Sequence, residues 1–121
     1  MKAIEYLDSV MMFSSMLVSE LAKTLLSKTR GEVQQVCTQS ATAAENLLGK
    51  MQHIFKKCDD DRMRVSLEYS IKQIQEKIIL LKGTYMPEFF IPIIGAMAYI
   101  GGVSQTVEHL FIKELLDYKP A

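Results

Sequence analysis

The stretch Glu32–Lys57, EVQQVCTQSATAAENLLGKMQHIFKK, decides the fold. Val33, Cys37, Ser40, Ala44, Leu47, Met51, Ile54 and Cys58 recur at alternating steps of four and three residues. That spacing lines one face of an α-helix and suits no strand. The small members Ser40 and Ala44, with Ala41 and Ala43 beside them, let another helix approach closely. Gly49 costs about 1 kcal/mol in a helix interior relative to alanine. The periodicity nevertheless runs through it, so the spacing predicts one unbroken helix.

Working outward, the preceding segment from Ala3 to Arg30 repeats the pattern with Ile4, Leu7, Met11, Ser14, Val18, Leu21 and Leu25. A second stripe, Val10, Phe13 and Leu17, lies beside this seam and widens it. The apolar arc is broader than one neighbouring helix covers. Gly31 reads as the stop, with Lys28 and Arg30 in the last turn, where the helix dipole favours cations. On the other side, Cys58-Asp59-Asp60-Asp61 breaks the pattern, and aspartates favour helix starts. The third segment, Asp61 to Lys82, has the seam Met63, Leu67, Ile71, Ile74, Ile78 and Leu81 and an outward Glu68–Lys72 pair at i,i+4. Residues 1–86 hold only Gly31, Gly49 and Gly83 and no proline, which argues for long helices joined by short turns.

The last third differs. From Phe89 to Val107 there is no charge. The spacing predicts one helix from Pro87 to Tyr118, kinked at Pro92 and interrupted at Gly101-Gly102. Its strictly apolar core, Phe89 to Val103, spans about 22 Å, short of the roughly 30 Å of a bilayer's hydrocarbon. Glu88 and Glu108 flank it rather than a basic cluster, and the chain has no tryptophan. These features read against a membrane span and for a buried helix. Gly95, Ala98 and Gly102 share one face and admit a close backbone contact. With Val10, Phe13 and Leu17 they form the expected interface with another molecule. Phe89, Phe90, Met97 and Tyr99 form the expected lining of an alternative apolar ligand pocket between helices.

The 121 residues carry fourteen basic and fourteen acidic side chains, 49% apolar residues and 23% charged ones. That is the composition of one globular domain spanning 1–121, and it excludes a disordered tail. Zero net charge removes the electrostatic footprint of a nucleic-acid binder. The densest basic region, Lys50, Lys56, Lys57, Arg62 and Arg64, is offset by the three aspartates within it. Two cysteines, Cys37 and Cys58, fit reduced thiols in a cytoplasm, and the acidic start of the chain does not read as a secretory signal.

Catalytic chemistry finds little support. A di-iron bundle needs Glu-x-x-His on two helices, and neither His53 nor His109 follows an acid by three. His53, Cys58 and the aspartate run make a metal site only loosely; capping by the aspartates and a solvated His53 account for them better. His53-Ile-Phe-Lys56 resembles the exposed histidine and lysine of histidine phosphotransfer domains over four residues, but Lys57 stands where those domains prefer glycine. Both cysteines fall on the apolar seam, and no phosphate loop is present. The sequence therefore predicts an all-α, antiparallel up-down four-helix bundle. It predicts a cytoplasmic protein with no enzymatic activity, cofactor or metal. The chain is expected to act by associating with itself or with another helical protein. A ligand-binding bundle and a membrane-associated protein using residues 89–107 are the alternatives.

Overall fold

The computed structural model describes residues 2–120, and among them there is no strand. Four long helices carry the chain: α1 (Lys2–Leu26), α2 (Arg30–Lys57), α3 (Asp61–Lys82) and α4 (Phe90–Leu110). A 3-10 turn, Pro87–Phe89, leads into α4, and a short α5 (Ile112–Leu116) follows it. α1 packs chiefly on α4, and α2 chiefly on α3. The core fills the space between these two pairs, with Tyr6, Val10, Leu47, Met51, Leu67, Ile74, Val103 and Val107 among its members.

Local chemistry fixes where helices begin. Thr29 is the N-cap of α2: its hydroxyl accepts the Glu32 N–H at 3.2 Å, and the Glu32 carboxylate accepts the Thr29 N–H at 2.9 Å. This capping box satisfies two of the N–H groups that a helix start leaves without partners. It also overrules the expected stop at Gly31, which instead lies in the first turn of α2, so α1 ends four residues early at Leu26. Asp60 caps α3 by accepting the Met63 N–H at 2.9 Å. Arg64 closes the α2–α3 turn. Its guanidinium donates to the carbonyls of Phe55 and Cys58, both at 2.8 Å, and lies 4.1 Å from the centre of the Phe55 ring. The Gln34 amide ties down the chain after α3, donating to Gly83 O at 3.2 Å and accepting the Tyr85 N–H at 2.6 Å.

Two expectations about the last helix fail. Pro92 falls in the first turn of α4, where its missing N–H has no partner to lose. α4 runs unbroken through Gly101-Gly102, and the break comes at Phe111 (φ −122°, ψ 36°). The paired glycines serve packing. A Cβ on Gly102 would stand 2.9 Å from both Val10 O and Ser14 N, and one on Gly101 would stand 2.6 Å from Leu17 Cδ1. At Gly102 the α1 backbone, and at Gly101 the Leu17 side chain, occupies the space a side chain would need.

The phase of α1 is the larger correction. Tyr6, Val10 and Leu25 face the core, while Ile4, Leu7, Met11 and Val18 of the expected seam are exposed. An arc this wide lets periodicity alone choose either edge. The close approach to Gly102 and a hydrogen bond from the Tyr6 hydroxyl to Ser70 Oγ at 2.7 Å choose the other one. The seams of α2 and α3 lie inward as expected, with Ser40, Cys58 and Ile71 half-buried.

Candidate functional site

The exposed seam of α1 is the molecule's most unusual surface. α1 and the Pro87–Leu110 segment are both long and apolar enough to cross a membrane by length and composition. They differ in burial. The most apolar stretch of Pro87–Leu110 is 56% buried, as befits a core helix, but that of α1 is only 11% buried. Leu7 is 46% exposed and Met11 68%. Ile4 and Leu7 meet Val65 of α3 across a shallow, almost wholly apolar hollow of about 430 Å³, edged by Asp61 and Arg62. Tyr69, one turn beyond Val65, is exposed as well. Two elements thus present one oily face.

Tyr6 of α1 and Tyr99 of α4 both donate to Ser70 Oγ of α3, at 2.7 and 3.0 Å, which pins the three helices together. Burial raises the Tyr6 and Tyr99 phenols above their ordinary range, so both stay protonated donors. Beyond the pin, a groove of about 560 Å³ opens between α1 and α3, floored by α4 at Gly95, Ala98 and Tyr99.

The residues expected to form an interface are divided. Gly102 and Val10 do make a close helix contact, but with each other inside the chain, where both are buried. Ala98 is buried at the groove floor, and Phe13 and Leu17 are half-buried. Only Gly95 of the six is exposed. The surface left open to another molecule is therefore the stripe that periodicity had turned inward. The expected ligand lining does not assemble either. Phe90 borders a cleft with Leu25 and Tyr85, Met97 one with Leu21 and Leu47, and Tyr99 the groove described above. Phe89 is 41% exposed and borders none of these.

Protein families, curated proteins and solved structures offer no match to this chain. Its own chemistry carries the reading.

That chemistry is mostly structural. His53 is half-buried rather than solvated: its Nε2 lies 3.1 Å from Glu114 O, and its ring 5.2 Å from that of Tyr118. A carbonyl only accepts, so Nε2 carries the proton. Gly49 leaves room for Tyr118, since a Cβ there would stand 2.6 Å from the phenol oxygen. The histidine thus holds α5 and the residues after it onto α2. Cys37 is buried, and that burial raises its thiol, which lowers its reactivity. Among the described residues no three His, Cys, Asp or Glu side chains gather as metal ligands do.

Proposed function

We propose that this protein is a non-enzymatic association module of the cytoplasm, an antiparallel up-down bundle that pairs with a second copy of itself through the open face of α1 and α3. The observation that carries the reading is the burial of α1: an amphipathic surface helix hides its apolar arc, and this one hides about a tenth of its most apolar stretch. Covering Ile4, Leu7, Met11 and Val65 would contribute about 1.5 kcal/mol or more for each side chain fully buried. Zero net charge leaves little repulsion to oppose the contact. The bundle topology is supported by the order of contacts. Ser9 meets Thr106, Ser14 meets Gly102 and Leu17 meets Gly101, so α1 and α4 run in opposite directions. Turns of a few residues join α1 to α2 and α2 to α3.

A second reading, a membrane-inserted pair of α1 and α4, draws on their length and on the small residues where they cross. It is weaker, because α1 carries Glu5, Asp8, Glu20 and Lys23 along its length. Sedimentation velocity separates the two. Association predicts a detergent-free species at a multiple of 13.7 kDa and a single protomer for the double variant Leu7→Asp, Met11→Asp. A protomer alone at high concentration sinks the proposal, and recovery only in the membrane fraction favours the second reading.

A further inference from the structure

The groove between α1 and α3 has features that packing within the chain does not explain. Gly95, on its α4 floor, sits in a helix, where glycine is costly, yet a Cβ there would meet nothing within 4 Å. Unlike Gly102, it makes room for nothing inside the molecule. Lys77 stands on the α3 wall. Its Nζ donates to Gln73 Oε1 at 3.1 Å and lies 4.9 Å from the centre of the Tyr99 ring. An ammonium has three N–H groups, and among the described residues no carboxylate reaches within 4 Å of this one. Ser14 and Ser15 line the groove from α1, with the Ser14 Oγ itself turned into the crossing at Gly102. Val18 and Leu80 supply apolar walls. The volume of about 560 Å³ falls within the range of small-molecule sites, which combine an apolar lining with a few placed polar groups.

We propose that this groove binds an apolar monocarboxylate, with the Lys77 ammonium taking the carboxylate and the hydrocarbon lying over Gly95 and the Tyr99 ring. The groove adjoins the association face, since Val18 belongs to the same α1 stripe, but its selectivity comes from Lys77, Gly95 and Tyr99 and does not rest on association. A cation half-buried against an aromatic face is partly desolvated, so a carboxylate gains more there than at an exposed lysine. A cationic amphiphile is repelled by Lys77, and a neutral alcohol accepts a hydrogen bond from it without the charge pairing.

The probes are dodecanoate, dodecanol and dodecyltrimethylammonium, each below its aggregation limit, titrated by calorimetry and by NMR of the Tyr99 ring. Dodecanoate is expected to saturate at one per chain and to bind at least about tenfold tighter than either other probe. Lys77→Met should reduce it to the dodecanol level, and Lys77→Arg should retain it. Gly95→Leu should block the floor and abolish binding while leaving the circular dichroism unchanged. Equal affinity for the three probes overturns the proposal, as does unchanged binding in Lys77→Met. Were Gly95→Leu to unfold, the Tyr99 signals decide: dodecanoate that leaves them unmoved is bound elsewhere, and the assignment falls.

Discussion

Two glycines of one helix make opposite demands. Gly102 is closed in by α1 backbone, and backbone does not yield as a flexible side chain does. Gly102→Ala therefore has to push α1 off α4, and a loss of about 1–3 kcal/mol is expected in urea denaturation. Gly95→Ala meets open space and removes the entropy of a helical glycine, so it should add up to about 1 kcal/mol. Equal effects at the two positions would mean that the α1–α4 crossing is misplaced. The buried phenols give a pH dependence of definite sign. The folded state holds the Tyr6 proton well above the ordinary value, while the unfolded state releases it near pH 10. Stability is thus fully present below about pH 10 and falls as pH rises further, because only the unfolded chain gains by ionising. Tyr99 acts in the same direction. Urea midpoints should drop as pH rises above about 10, and Tyr6→Phe should flatten the drop. An equally steep drop in that variant would place the cause elsewhere.

Helix identity was legible at the level of elements because α2 and α3 each carry a single narrow stripe, which fixes both period and phase. In α1 the arc is broad, so period was readable and phase was not. What sets the phase is non-local: Gly102 lies 88 positions from Ser14, and Ser70 lies 64 from Tyr6. The α1–α2 boundary is legible in Thr29-Arg30-Gly31-Glu32, whose first and last residues are those of a capping box, but Gly31 within it carries the opposite signal of a helix stop. Among the expected site residues, Gly102 makes a close backbone contact with the chain's own α1. The groove was not legible, since Lys77, Ser14 and Gly95 come together only through packing. The cap has a measurable consequence. Thr29→Ala removes the side-chain acceptor for the Glu32 N–H, and about 1 kcal/mol of stability should go with it. Faster amide exchange should appear in the first turn of α2 and not at the start of α3, which Asp60 caps independently. Uniform acceleration in both helices would show that the two starts are coupled.

For the whole molecule, the question is whether the face of α1 and α3 belongs to the protomer's surface or to an assembly's interior. Thermodynamics distinguishes the two without knowledge of the partner's geometry. A protomer that melts alone has a midpoint independent of concentration. A folded state that binds its own copy is stabilised by mass action, so its midpoint rises with protein concentration. Exposed apolar side chains cost little when replaced, usually within about 0.5 kcal/mol, because they bury nothing to lose. Leu7→Ser with Met11→Ser should therefore leave the dilute-limit midpoint of the chain nearly unchanged and remove the concentration dependence that the unaltered protein shows. The contact is apolar and the chain carries no net charge, so raising salt should not dissolve the assembly as it would one held by surface ion pairs. Scanning calorimetry over a hundredfold range of concentration, at low and high salt, checks both statements. A flat midpoint for the unaltered chain would return Ile4, Leu7, Met11 and Val65 to the status of tolerated surface residues. Concentration dependence that survives the double serine variant would move the contact to another face.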